Sequence, residues 1–344
     1  MPTIYDYVVA KELATNWNIN ADLREPYLGE AFFPNKKQLG LDLTWIKGSR
    51  KAPVSLSLSA FDAKVIPLNR EGFEKLATEM PFFKNSMIVD EKQRQELNKV
   101  IASGNQSAID LILSEIYNDE MHLLEDASLT REIMRMQLLT TGVVALANNG
   151  QTYSYDYKLP TTHKITVTNK WDTADTSDPI KDITDAVDLI VADTGKKPTR
   201  GLINSTTLNL IRNSKAVKNA IYVLANGTVT PNRARTLQYL TEETGVTFYV
   251  YDKGYMNGAT RTKFIPDGVV TLFPEGDLGN TYFGTTPEES DLISSSVANV
   301  SIVDSGVAIT TTKQTDPVNV VTKVSMICLP SFEMADSIAI LDVT

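Results

Sequence analysis

The stretch SLTREIMRMQLLTTGVVALANNG, residues 128–150, carries the best periodic stripe in the chain. Leu129, Ile133, Met136, Leu139, Val143 and Leu146 recur at intervals of three and four, which on a helix sets them along one face. Asn148-Asn149-Gly150 then supplies residues suited to the left-handed conformation that closes a helix. The spacing predicts one long amphipathic helix over 128–149. A helix with that apolar face needs a layer to lie on, and the flanking sequence shows what kind.

Upstream, Asp90 and Gln93 have the spacing of a helix cap and its capping-box partner, opening a helix that stops at Gly104. Ile109, Ile112, Leu113 and Ile116 mark a second helix beginning at Asn105 or Ser107. Before these, LDLTWIKGSRKAPVSLSL (41–58) alternates apolar and polar residues on both sides of Lys47-Gly48-Ser49-Arg50-Lys51. Period-two alternation about a Gly/Ser-containing turn is the mark of a β-hairpin. No local helical face precedes it to complete its apolar side. Residues 1–38 read as an extended arm with a short helical piece around Val8–Thr15.

Downstream, TYSYDYKL and HKITVTNKW read as two strands, followed by the acidic linker TADTSDP. From 178 the texture alternates helix and strand. Asp178 caps, Pro179 takes the first turn, and Ile180, Ile183, Val187, Ile190 and Val191 are expected to face inward until Gly195. RGLIN is a strand, Ser205 caps a further helix, NRARTLQYLTEETG is another ending at Gly245, and VTFYVYD is a strand. The Val-, Ile- and Thr-rich remainder to Thr344 must pair with something, and the strands at 150–171 are the expected partners. That makes 178–275 an α/β module inserted in a discontinuous α+β domain.

Composition narrows the chemistry. The 344 residues carry a net charge of −9, opposite to the basic stripe of a nucleic-acid binder. The densest basic cluster is the tip at Lys47–Lys51. One cysteine, Cys328, rules out an intrachain disulfide and sits in an apolar run. The two histidines, His122 and His163, lack metal-ligand spacing. No phosphate-cradling loop is present, no carboxylate pair stands out, and no run reaches the ~18 apolar residues of a membrane span. The expectation is a protein with no catalytic residues, metal or cofactor.

The order of elements resembles that of the major capsid proteins of tailed bacteriophages, with the Hong Kong 97-like fold, and within them the lambda-type E family. Three stretches carry the resemblance: FFPNKKQLGLDLTWIKGSRKAPVSL (32–56), FFKNSMIVDEKQRQELN (82–98) and TREIMRMQLLTTGVVAL (130–146). It covers essentially the whole chain. The resemblance implies an N-terminal arm (1–38), an extended β-hairpin loop (39–70) and a peripheral domain (71–177 and 276–344) with the 128–149 helix as its spine. It also implies an axial domain (178–275) whose loops, LANGTVTPNRAR among them, meet around a capsomer axis. By the same carry-over the extended loop lies on a neighbouring subunit, with Trp45, Lys47, Arg50, Lys51, Val54, Leu56 and Leu58 as its contact residues.

The implied function is the major head protein, assembling as pentamers and hexamers into an icosahedral shell around a phage genome. The implied partners are the chain itself, a scaffolding protein during assembly and a portal at one vertex, with a decoration protein left open, DNA enclosed but not specifically bound, and no membrane. The arm begins almost at Met1, as where scaffold is a separate chain. The location implied is the virion, assembled in the host cytoplasm. A cellular nanocompartment shell of the same fold and a phage tail or neck protein are the alternative readings.

Overall fold

The computed structural model describes residues 8–21, 24–47, 74–89, 91–148, 151–223, 227–294, 298–315 and 318–344. In chain order the first elements are α1 (Ala10–Ile19), α2 (Leu28–Phe32), β1 (Asn35–Lys37), β2 (Asp42–Lys47), β3 (Glu74–Glu79) and β4 (Phe82–Val89). Next come α3 (Glu91–Ser103), α4 (Gln106–Thr141), β5 (Val143–Asn148), β6 (Gln151–Asp156) and β7 (Lys164–Thr166). The alternating region holds α5 (Pro179–Thr194), β8 (Arg200–Ile203), α6 (Ser205–Asn213), α7 (Lys215–Ile221), α8 (Arg233–Thr244) and β9 (Thr247–Val250). The chain closes with β10 (Gly254–Asn257), β11 (Thr260–Lys263), β12 (Val269–Phe273), β13 (Thr281–Phe283), β14 (Ala298–Val303), β15 (Val307–Thr315), β16 (Val318–Pro330) and β17 (Ala339–Asp342). This is an α+β chain.

The long helix is longer at its start and shorter at its end than the apolar spacing predicts. It covers 36 residues, about 54 Å at 1.5 Å per residue, and absorbs the separate helix expected from 105. It stops at Thr141 because Gly142 takes φ +76°, while its N–H bonds Leu138 O at 2.9 Å. A Cβ at Gly142 would also sit 2.7 Å from Leu159 Cδ1. Val143 and Leu146, expected on the helix, lie in β5, which pairs antiparallel with β6 from Val143↔Asp156 to Asn148↔Gln151. Asn148, expected in the helix cap, is the last residue of β5, and Asn149 and Gly150 lie outside the described residues.

Two compact units divide the chain: 1–44, 77–132 and 280–331 form one, and 45–76, 133–279 and 332–344 the other. The first is built on a six-stranded sheet in the order β1-β13-β16-β15-β14, with β4 also on β16. Its long strand β16 spans 13 residues and serves three neighbours, β15, β4 and β13. Of the closing strands, β17 pairs with β7 as expected of the strands at 150–171, whereas β14, β15 and β16 pair with one another and β16 also with β4 and β13. β16 is apolar enough along its length to be interior, and an interior strand needs a partner on both edges. Helices α3 and α4 cover one side through Leu97, Ile109, Leu113 and Ile116, packed with Val89 and Val320.

The N-terminal segment belongs to this same unit. Helix α1 lies against β14 and β15 and buries Ala10, Leu13 and Trp17. Trp17 Nε1 donates to Asp304 Oδ1 at 3.0 Å, Arg131 Nη2 donates to Asp304 Oδ2 at 2.8 Å, and the Arg24 guanidinium stacks 3.2 Å over the Trp17 ring. The short helical piece expected around Val8–Thr15 is present as α1, and over these residues it is pinned to the sheet of its own unit.

The second unit holds a five-stranded sheet in the order β7-β17-β12-β8-β9, with β8–β9 and β17–β7 parallel. Its core gathers Trp171, Ile183, Ile190, Leu208, Leu240 and Leu341. The expected caps form at α5: Asp178 accepts from Lys181 N, Pro179 opens the helix and Gly195 ends it at φ +69°. At α6 the cap is Asn204 and not Ser205, since the Asn204 side chain accepts from Thr207 N. The sheet also reaches outside 178–275: β7 and β17 supply two of its five strands.

Candidate assembly surfaces

The hairpin begins as expected at β2, but the described partner of β2 is β3, at 74–79, whereas alternation alone pointed to 54–58. Arg50, Lys51, Val54, Leu56, Leu58 and the tip lie outside the described residues, as does the Lys47 side chain. So does Asp90 with the Gln93 side chain. The root of the ribbon is firmly set. Leu43 is fully buried, and Met80 N donates to Leu41 O at 2.9 Å. Trp45 is buried as well, its ring centroid 5.3 Å from that of Tyr157, which meets Phe332 edge-on at 6.2 Å. The alternation correctly placed Trp45 on the apolar face. In the single chain that face packs against Tyr157, and Trp45 is buried within its own subunit.

Strand β4 is a surface the alternation did not single out. Along FFKNSMIV the exposure is nearly continuous, and Phe82, Met87 and Ile88 are exposed although apolar. Its described partner is β16 on one edge, in register from Val89↔Val320 to Phe82↔Ile327. The irregular spacing of these three residues gives no period-two signal, which is why the strand's outward apolar set escaped notice.

In the second unit, Val223 (78% exposed) precedes the stretch expected to face a capsomer axis, and Val229 (48%) lies within it. Nearby in sequence, β10 and β11 form a hairpin from Gly254↔Lys263 to Asn257↔Thr260, with Met256 exposed. Phe264 stacks on Tyr251 (5.7 Å) and Tyr255 (5.4 Å) and so stiffens its base.

Several polar groups are paired within the chain. Asn204 Nδ2 and Lys263 Nζ both reach Asp267 Oδ1 at 2.6 Å, and Asp252 accepts from Ser205 N at 2.7 Å. His122 bonds Glu125 at 2.9 Å on the surface, and the buried His163 bonds Asp193 at 2.9 Å. Cys328 is buried. Among the described residues no group of three His, Cys, Asp or Glu is placed to hold a metal, and no helix is long and apolar enough to cross a membrane. What the molecule offers on its exterior is edge strand, ribbon and apolar loop.

The model of the family described as phage major capsid protein E matches residues 10–343. The chain belongs to this family. Its fold is similar to that of a phage-related protein from Bordetella bronchiseptica RB50, at 15% identity and TM-score 0.57 over 97% of each chain. It is also similar to the putative capsid protein of a prophage of E. coli CFT073, at 13% identity and TM-score 0.58 over 98% of this chain and 99% of that one. A third similar structure is the cyanophage A-1(L) capsid asymmetric unit, at 11% identity and TM-score 0.52 over 92% of each chain. No curated protein matches. The fold is therefore related to the Hong Kong 97 type, and the protein is a shell-forming structural protein rather than an enzyme.

Proposed function

We propose that this capsid protein is the major head subunit of a tailed phage, building a closed icosahedral shell of pentamers and hexamers around DNA. The observation that carries the reading is the ribbon rooted at β2–β3. Its base is locked by Leu43 and Trp45 in the chain's own core, and the two strands form a two-stranded sheet of their own. A two-stranded ribbon is marginally stable alone, while arms of about ten residues extend ~30 Å, enough to reach another subunit. Val54, Leu56 and Leu58 are the apolar contacts in this reading, each contributing roughly 1.5–3 kcal/mol on full burial. Lys47, Arg50 and Lys51 supply its cationic tip.

In the same reading, residues 71–177 and 276–344 form the peripheral domain and 178–275 the core of the axial domain, with β7 and β17 completing the axial sheet. The stretch LANGTVTPNRAR (224–235) is the axis-facing turn in this reading. Scaffolding protein acts during assembly in the host cytoplasm, a portal occupies one vertex, and the mature shell is the location of the chain. The charge of −9 suits a wall that contains DNA without gripping it.

The test is to replace 48–73 by a short Gly-Ser turn, leaving Trp45 and β2 intact. The expected product is a folded chain with near-normal helix content that builds no closed shells under electron microscopy. Normal shells from this variant would remove the ribbon from the assembly.

A further inference from the structure

The buried stripe of α4 runs through Ile109, Leu113, Ile116, Leu124 and Ala127, and one of its positions is a carboxyl group. Glu120 is 4% exposed. Its Oε1 accepts from Thr322 Oγ1 on β16 at 2.6 Å, and its Oε2 is buried with no partner. Thr311 of β15 is the cross-strand partner of Thr322, and its hydroxyl is likewise buried without a partner. Two buried, unpartnered oxygens thus lie to either side of the Glu120–Thr322 contact, one on the helix and one on the strand paired with β16.

The groups around Glu120 do not favour its charge. On α4 itself are Asp119 and Tyr117, and Glu12 of α1 faces Tyr117. β4 places Met87 opposite Thr322. On β15, Lys313 lies two residues beyond Thr311 and is exposed. The neighbouring Lys323 of β16 is occupied with Glu288 at 2.5 Å. From α3, Glu91 accepts from Val318 N at 3.3 Å, and Arg94 makes no ion pair with Glu120. An ionised carboxylate offers about four acceptor sites and here meets one donor, whereas an unpaired buried charge is strongly disfavoured. The neutral acid turns Oε2–H into a donor.

We propose that Glu120 is a proton-operated latch between α4 and the β15–β16 strand pair, closed when its carboxyl is neutral and released when it ionises. Burial pushes this carboxyl up from 4.5 to about 7; the Thr322 hydrogen bond opposes the rise and Asp119 adds to it. The raised folded-state value fixes the direction. The latch contributes fully below the unfolded-state value near 4.5, weakens as pH climbs, and is lost once pH passes about 7. Mild acid fastens the helical layer to the sheet, and mild alkali loosens it, whatever the subunit assembles into.

The test uses the full chain. Glutamate side-chain carbons are labelled with ¹³C and followed by NMR from pH 4 to 9. The Glu120 signal is assigned by its loss in Glu120→Gln or, should that variant fail to fold, by its displacement in Thr322→Val. One resonance should titrate near neutrality, and Thr322→Val should move that midpoint upward. Urea unfolding of the wild type should lose up to about tenfold in equilibrium constant per pH unit between about 5 and 7, relative to Glu120→Gln. Titration of Glu120 with the ordinary glutamates overturns the proposal, as does an unfolding pH profile that Glu120→Gln leaves unchanged.

Discussion

Asp304 is the residue on which the docking of α1 turns. It accepts from Trp17 on α1 and from Arg131 on α4, and it stands at φ +47° between β14 and β15. The Arg131 side chain is 5% exposed, and its Nε and Nη1 are buried without partners, so Asp304 supplies its counter-charge. Asp304→Ala removes that charge, leaves a buried guanidinium uncompensated, and places a Cβ residue less tolerant of positive φ at the turn. Breaking one side of a buried pair costs about 3–5 kcal/mol. Asp304 itself is 26% exposed, so the lower end of that range is the expectation. With tenfold per 1.4 kcal/mol, roughly 3 kcal/mol should speed hydrogen exchange of the α1 amides by about 100-fold. Asp304→Asn keeps the backbone tolerance and the Trp17 acceptor, and should lose less. Adding Arg131→Met to Asp304→Ala should restore part of the loss, because removing both partners leaves no stranded charge. Exchange in Asp304→Ala within a factor of about three of the wild type, or a double variant that loses the full sum, would refute the reasoning.

Two further predictions follow from the same geometry. Trp45→Ala should destabilise the unassembled chain by about 3–5 kcal/mol, the usual cost of emptying a buried aromatic site, read as a lower urea midpoint; an unchanged midpoint would return Trp45 to the outer surface. The isolated protein should be retained little with duplex DNA on a filter at about 150 mM salt, and micromolar binding that weakens steeply with salt would contradict the containing-wall reading.

Much of the architecture was legible because local chemistry and tertiary packing agreed. The α5 boundaries followed from Asp178, Pro179 and Gly195, whose roles depend on the chain nearby. The long helix was only half legible. Glu120 and Arg131 occupy positions of its apolar stripe, and each is buried through a partner distant in sequence, Thr322 and Asp304. Polar residues at core positions break the periodic signal, so one helix read as two. At the other end, Val143 and Leu146 continued the three-four spacing by coincidence, while Gly142, at φ +76°, carried the contrary message. For the assembly surfaces the limit is of another kind. Alternation shows which side of β2 is apolar but not whose core it joins, and Trp45 joined its own.

The measurement that bears most directly on the account is cryo-electron microscopy of the purified, self-assembled protein at a resolution that traces the backbone. Closed icosahedral shells are expected, in which residues 48–73 of each subunit leave the β2–β3 root and lie across an adjacent subunit. Dispersed monomers, or shells in which that segment folds back on its own subunit, would contradict it.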